Sequence, residues 1–192
     1  MIYDSVTIHR RMERKCSVAK LLSNRTIKQH IHNNTIIYRF ETETQPVVNM
    51  RLKIEINTRE HFNVLGLKGI PYKMENPWFY GECNLTGYEL EELLGTKLRA
   101  LYQRRKGRDL FDLYWAMVHQ DVDAEKIVQC YKKYMEFSVD KPPTQKQFLA
   151  NMEEKIVMKE FMDDVYLILK KEVRYDDGEA WELVKKGLIE KI

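Results

Sequence analysis

The spacing of the apolar residues changes near residue 86, and this change limits the folds that the chain can adopt. Within residues 47–57 (VVNMRLKIEIN), apolar residues alternate with charged and polar ones, which predicts a β-strand with one apolar face. Residues 35–40 (TIIYRF) predict another strand. Residues 66–83 predict one or two short strands, because glycine and proline separate their apolar pieces.

From residue 88 onward the apolar residues recur at the spacing of α-helices, with interruptions by glycine and by the Pro142-Pro143 pair. Thr86 and Glu89 have the spacing of a capping box, which predicts a helix start at Thr86. We therefore expect an α+β fold. Residues 1–85 are expected to form a partial α/β domain with a mixed sheet, and residues 86–192 a helical bundle.

Composition places the chain among ordinary globular proteins. Of its 192 residues, 44% are hydrophobic and 32% are charged, which is not the composition of a disordered chain. No apolar run approaches the ~20 residues of a membrane span. The three cysteines form no CxxC pair, which indicates free thiols and a cytoplasmic protein.

The charge of the chain is small in total but unevenly distributed. The formal net charge is only +3, yet basic residues gather in residues 10–28 and 97–108. The first of these stretches overlaps a predicted basic helix over residues 4–22. A local basic surface attracts phosphate even when the net charge is modest.

Lys97 occupies an unusual position in the first predicted helix of the bundle. On a helical wheel of about 100° per residue it falls in the middle of the leucine stripe rather than on the polar face. The next helix, residues 110–118, is apolar almost all round, and Asp112 is its only strong charge. Because a buried carboxylate needs a partner, Asp112 predicts an ion pair with Lys97, Arg104 or Arg108.

The same residues also have a purely structural interpretation. Asp109 at the N-cap and Asp112 at the third helical position would stabilise the first turn of the second helix. Lys97 would then extend to solvent, or form an ion pair with Asp112 that has no chemical role. Residue types alone do not decide between a structural pair and a functional site.

Residues 96–117 (TKLRALYQRRKGRDLFDLYWAM) closely resemble the signature of the nucleotidyltransferase family of AbiEii and AbiGii toxins, which are toxin–antitoxin and abortive-infection proteins of bacteria. The signature consists of a lysine, an Ala-Leu pair, an arginine, Arg-Asp and Asp-Leu, which in this sequence are Lys97, Ala100-Leu101, Arg104, Arg108-Asp109 and Asp112-Leu113. Residues 52–57 (LKIEIN) resemble the inner strand of the family with its acidic residue, here Glu55.

The resemblance implies a polymerase-β-like nucleotidyltransferase that transfers a nucleotidyl group from an NTP, with Mg²⁺, to an RNA end such as that of a tRNA. It also implies a cognate antitoxin as partner. On this basis Glu55 is expected to bind the metal or to act as the base. The residues expected to contact phosphates are Lys97, Arg104 and Arg108. Lys97 is also expected to act in catalysis with Asp109 and Asp112, which would position Lys97 or the nucleophile.

These residue types suit the implied chemistry. Nucleotidyl transfer depends on positioning and on charge neutralisation more than on covalent help from the protein. Carboxylate oxygens are the ligands that Mg²⁺ prefers, and a lysine binds a triphosphate as a point charge.

One part of the family pattern is missing. Family members carry a Gly-Ser turn and an Asp-x-Asp pair of metal ligands upstream of the acidic strand. This sequence has no Gly-Ser pair, and its one Asp-x-Asp, at Asp121 and Asp123, is predicted instead to cap a helix that starts near Ala124. We therefore expect a chain without two of the three metal carboxylates. The alternative functions are an inactive remnant that serves as a binding module and a plain RNA-binding protein.

Other conspicuous residues receive structural interpretations. His30 and His32 lack further ligands at metal spacing and predict an exposed pair. The Asp163-Asp164 pair is predicted to be solvated. A sheet with an open edge would favour a homodimer. The aromatic residues of the second helix are predicted to lie in the core of the bundle, and they are Phe111, Tyr114 and Trp115.

Overall fold

The computed structural model describes residues 25–77 and 79–192, so the predicted helix over residues 4–22 lies outside the described residues. The chain divides into two compact units, of which the first ends at Phe62 and the second spans Asn63–Ile192. The described residues form five strands and six α-helices. The predicted α+β class is therefore confirmed.

The first unit contains a three-stranded antiparallel sheet. Its strands are β1 (Arg25–His30), β2 (Asn33–Glu41) and β3 (Asn49–Asn57), with β2 in the centre. The strands predicted at residues 35–40 and 47–57 are thus present. His30 and His32, at the turn between β1 and β2, are both exposed, as predicted.

The second unit begins with a β-hairpin in which β4 (Leu67–Asn76) pairs with β5 (Phe79–Tyr88). The strands expected within residues 66–83 are present, and nearly all of their residues are exposed. The capping box predicted at Thr86 is wrong, because Thr86 pairs with Gly69 and keeps the chain in β5. The next helix starts four residues later than Thr86, without a side-chain cap.

All strand pairs among the described residues are antiparallel, so the prediction of a mixed sheet is wrong. Only a few residues separate consecutive paired strands. Parallel strands need a crossover connection of a dozen or more residues, whereas connections this short suffice for antiparallel neighbours.

Six α-helices follow the hairpin. They are α1 (Leu90–Gln103), α2 (Gly107–His119), α3 (Ala124–Ser138), α4 (Gln145–Ile156), α5 (Lys159–Tyr166) and α6 (Asp177–Gly187), with a 3₁₀ turn at Ile189–Lys191. The carboxylate of Asp123 accepts hydrogen bonds from the amides of Glu125 and Lys126, which confirms the cap predicted for α3. Among the helices of residues 25–77 and 79–192, none is long and apolar enough to cross a membrane.

The core of the second unit lies between these helices. Leu98 and Leu101 of α1 are fully buried, and so are Leu110 and Leu113 of α2. Gly95 allows α1 to approach α3 closely, since a Cβ atom there would lie 2.6 Å from the Cβ of Cys130. This packing fixes α1 and α2, the two helices that carry the sequence signature, relative to each other.

Candidate functional site

The helices α1 and α2 bring Lys97 and Asp112 together. The Nζ of Lys97 lies 2.7 Å from an oxygen of Asp112 and 3.4 Å from Oδ1 of Asp109. The guanidinium of Arg104 lies 3.0 Å from the same Oδ1. The ion pair predicted from the sequence is therefore present, and it belongs to a larger group that we call the Lys97 cluster: Lys97, Arg104, Asp109 and Asp112.

The buried carboxylate of the Lys97 cluster is Asp109 rather than Asp112. The side chain of Asp109 is 1% exposed, whereas that of Asp112 is 41% exposed. The helix α2 begins at Gly107 with Lys106 as its N-cap, so Asp109 occupies the third helical position and turns inward. The predictions that Asp109 caps the helix and that Asp112 is its buried charge are wrong for this reason.

The two cations of the Lys97 cluster remain open to solvent. The side chains of Lys97 and Arg104 are 38% and 55% exposed, although both contact the buried Asp109. The Oδ2 atom of Asp109 is buried and has no hydrogen-bond partner among the described residues. The cluster therefore presents two oriented cations to any anion that reaches this surface.

A buried lysine of α4, Lys155, fixes the end of α1. Its Nζ donates hydrogen bonds of 2.6 Å to the carbonyl oxygens of Leu101 and Tyr102, which lie in the last helical turn, where carbonyls lack helical partners. Burial and, to a smaller extent, the charge of Arg105 lower the pKa of Lys155 while Asp109 raises it, and the net result is a pKa of about 8.

The buried position of Lys155 was not predicted, although the sequence contains a pattern that indicates it. It follows Phe148 and Met152 on the buried stripe of α4, at helical spacing. The same kind of signal, a lysine on an apolar stripe, singled out Lys97.

Arg108 contacts α5 instead of the Lys97 cluster. Its Nε lies 3.8 Å from Oδ2 of Asp164 and its amide 3.4 Å from the same atom, while the Nζ of Lys106 lies 3.2 Å from Oδ1. Asp164 thus satisfies one of the free amides at the start of α2. Burial alone would raise the pKa of Asp164, but the hydrogen bonds from Lys106 and the Arg108 amide, together with the charges of Lys106 and Arg108, lower it.

The prediction that Asp164 is solvated is wrong, because its side chain is only 11% exposed. Sequence reasoning missed this residue for a physical reason. Its cationic partners lie more than fifty residues earlier, as the sequence separation of 58 between Lys106 and Asp164 shows, and no local pattern indicates such a contact.

The aromatic residues of α2 do not all lie in the core. Tyr114 is 9% exposed, as expected for a core residue, and Phe111 is partly buried. Trp115 is 38% exposed, so the prediction that it is a core residue is wrong. At helical spacing Trp115 shares the outward face of α2 with Asp112.

Glu55 lies on β3 in the first unit, with its carboxylate 2.8 Å from the Nζ of Lys53 and 53% exposed. Within residues 25–77 and 79–192, no group of three histidine, cysteine or acidic residues is placed to hold a metal ion. Asp109 and Asp112 contact cations and do not fit as Mg²⁺ ligands. The described residues therefore do not form a magnesium site on their own, and the role of Glu55 stays a prediction.

Gly107 holds the start of α2 against α5, and a side chain there is expected to destabilise the protein. An added Cβ atom would lie 2.0 Å from the carbonyl oxygen of Phe161, so one of two backbone segments must move. Gly107→Ala is expected to lower the free energy of unfolding by about 2 kcal/mol, measured by urea denaturation. Gly178→Ala is the matched control in α6, where an added Cβ meets only the side chain of Asp176, at 3.2 Å. Equal stability of the two variants would contradict the prediction.

The helices that carry the Lys97 cluster lie within a longer match to a known family. Residues 8–183 match the family model for the nucleotidyl transferase AbiEii toxin of type IV toxin–antitoxin systems. By class the protein is therefore a nucleotidyltransferase-like toxin, and the family suggests an antitoxin as partner. The chain belongs to the AbiEii nucleotidyl transferase toxin family, which confirms the resemblance seen in the sequence. No curated protein and no solved structure matches the chain.

Proposed function

We propose that the protein transfers a nucleotidyl group from an NTP to the end of an RNA, with the Lys97 cluster as the phosphate-facing part of its active site. The observation that carries this proposal is the position of Lys97 and Arg104. Both contact the buried carboxylate of Asp109 while their side chains stay 38% and 55% exposed. Cations that are oriented before the ligand arrives suit a reaction that depends on charge neutralisation.

The different burial of the two carboxylates gives them different roles in this proposal. Asp109, at 1% exposure, does not reach a substrate and acts by orienting Lys97 and Arg104. Asp112, at 41% exposure, is accessible to the acceptor hydroxyl. When that hydroxyl attacks the α-phosphorus and pyrophosphate leaves, Asp112 either holds Lys97 against the phosphates or accepts the hydroxyl proton.

The residues next to the Lys97 cluster favour a polyanionic substrate. Lys106 and Arg108 are 48% and 47% exposed and share one carboxylate, that of Asp164. Arg105, between them and Arg104, is also exposed. The excess of positive charge supports Arg108 as a phosphate contact and an RNA as acceptor.

The proposal assigns no step to Mg²⁺, which the family leads us to expect as a cofactor, because the described residues do not fit its site. This disagreement favours a second candidate function, a binding module of the same family without transferase activity. In both cases we expect the protein to act in the cytoplasm, where thiols such as those of the free Cys83 and Cys130 stay reduced.

Label transfer separates the two candidates. The full chain is incubated with Mg²⁺, each labelled NTP and total tRNA, and label in the RNA is measured. Lys97→Ala and Asp112→Ala are each expected to reduce the transfer rate by about 10²-fold, the effect of removing one preorganised charged group. Lys133→Ala is the matched control, because it removes a lysine from an exposed ion pair of 3.0 Å in α3.

Transfer that depends on Lys97 and Asp112 but not on Lys133 supports the transferase. Absence of transfer from every NTP, with the chain folded, supports the binding module. Transfer that survives Lys97→Ala unchanged shows that the Lys97 cluster is not the active site.

A further inference from the structure

The outward face of α2 continues from the Lys97 cluster into a column of two aromatic rings, those of Trp115 and His119. At about 100° per residue, one face of the helix carries Arg108, Asp112, Trp115 and His119, and all four are partly or fully exposed. With a rise of 1.5 Å per residue, Trp115 lies about 4.5 Å along the helix axis beyond Asp112, and His119 about 10 Å beyond it. The column thus begins one helical turn from the Lys97–Asp112 ion pair.

The rings of this column are held in fixed orientations. The centroids of Trp115 and His119 lie 3.8 Å apart at an interplanar angle of 20°, and those of Phe111 and Trp115 lie 5.6 Å apart at 30°. Tyr175 meets the Phe111 ring edge-on, with centroids 5.2 Å apart. The Nδ1 of His119 is 2.9 Å from the carbonyl oxygen of Trp115; this carbonyl only accepts, so Nδ1–H donates and orients the ring.

The Phe111 and His119 rings stack on Trp115 from one helical turn before it and one turn after it, so the face that the column offers to a base is the one of the exposed His119 turned away from Trp115. We propose that an unpaired base of the acceptor RNA stacks on this face of His119, which Trp115 supports from behind, so that the strand runs along α2 toward the Lys97 cluster. The inference rests on the proposed function, because it supplies the acceptor of the same reaction. Stacking on tryptophan and histidine is a common means of binding single-stranded RNA. It strengthens binding about 5- to 100-fold per base and tolerates any base.

The setting of the column favours an RNA strand over the base of the NTP. A small ligand such as a nucleotide is normally enclosed in a concave pocket that covers most of its surface. Here the rings follow an open helix face, on which Trp115 is 38% and Val118 is 50% exposed. The same face carries Arg108, at 47% exposure, beside Lys106. A cationic track next to an open row of rings is typical of a single-strand binding surface.

RNA binding by variants of the full chain tests the column. A fluorescently labelled oligoadenylate of about 8 nucleotides serves as the probe, a length within the usual site sizes, and its anisotropy gives Kd at two salt concentrations. Trp115→Ala and His119→Ala are each expected to weaken binding about tenfold without changing the salt dependence, because they remove no phosphate contact. Arg108→Ala is expected to reduce the salt dependence. Phe137→Ala removes an aromatic ring that is 46% exposed on α3 rather than on α2; it is the matched control and should bind like the parent chain.

One further variant and the position of His119 keep the test interpretable. Trp115→Phe retains an aromatic ring and should bind nearly as tightly as the parent, and His119 ends α2 at an exposed position, so its loss should leave the fold intact. Binding of Trp115→Ala and His119→Ala equal to that of the parent would overturn the proposal. If RNA binding depends on the rings but the chain transfers no label, the proposal for the column is supported and the proposed transferase activity is excluded. Label transfer together with RNA binding that does not depend on the rings supports the transferase and rules out the column as the RNA-binding surface.

Discussion

Replacing Glu92 by alanine is expected to lower the free energy of unfolding of the second unit by about 3–5 kcal/mol. Glu92 is completely buried in α1. Its carboxylate accepts hydrogen bonds from the amides of Val64 and Leu65, at 2.8 and 2.9 Å, and from the hydroxyl of Tyr134, at 2.8 Å. A hydrogen bond to a charged group contributes about 1.5–3 kcal/mol, and donors left buried without a partner add a further cost.

Urea denaturation followed by tryptophan fluorescence measures this effect, since Trp115 and Trp181 belong to the second unit. Glu125→Ala is the matched control: Glu125 also lies in the first turn of a helix but is exposed, and its loss should cost no more than about 1 kcal/mol. Glu92→Gln should fall between the two variants, because the amide keeps only one acceptor oxygen. If Glu92→Ala and Glu125→Ala are equally stable, the three hydrogen bonds do not hold the unit together.

Glu92 also shows which kind of contact cannot be predicted from a sequence alone. Its partners lie 27, 28 and 42 residues away, so no local pattern indicates them. Lys97 and Asp112, in contrast, lie on two consecutive helices joined by a short turn. A helical wheel was therefore enough to place Lys97 among the three candidate partners of Asp112, although the buried carboxylate of the cluster is Asp109.

The error over Asp109 and Asp112 has a similar physical origin. The sequence indicated a helix after Gly107 but did not indicate its first residue, which depends on distant contacts. Phe161 lies against Gly107, and Asp164 accepts a hydrogen bond from the amide of Arg108. These contacts let α2 begin at Gly107 rather than after Asp109. Asp109 is therefore a helical residue that faces inward, and Asp112 lies on the surface.

The strands and helices were easier to predict than the pairing between strands. Alternation within residues 47–57 and the leucine spacing within α1 are local signals, and both elements are present. Whether a sheet is mixed or antiparallel depends on which segments meet, and the periodicity of a single strand does not contain that information.

Replacing Asp109 by asparagine is expected to impair both stability and transfer. Asp109 is a buried carboxylate that contacts both Lys97 and Arg104, and its charge also raises the pKa of the buried Lys155. Asparagine keeps the shape of the side chain but leaves these three cations without a buried counter-charge. Because removing one partner from a buried ion pair costs about 3–5 kcal/mol, and Lys97 and Arg104 are partly solvated, we expect a loss of about 3 kcal/mol. In the proposed reaction the transfer rate should fall by about 10³-fold, since Lys97 and Arg104 lose their anchor.

Asp112→Asn is the control that separates the two effects of Asp109. Asp112 pairs with the same lysine, but its side chain is 41% exposed, and an exposed ion pair contributes no more than about 1 kcal/mol to stability. Asp112→Asn should therefore lose transfer while keeping nearly the stability of the parent, whereas Asp109→Asn should lose both. Label transfer and urea denaturation on the two variants and the parent chain measure this difference. An Asp109→Asn variant as stable as Asp112→Asn would show that Asp109 does not anchor the cations, and the orientation of Lys97 and Arg104 would then need another source.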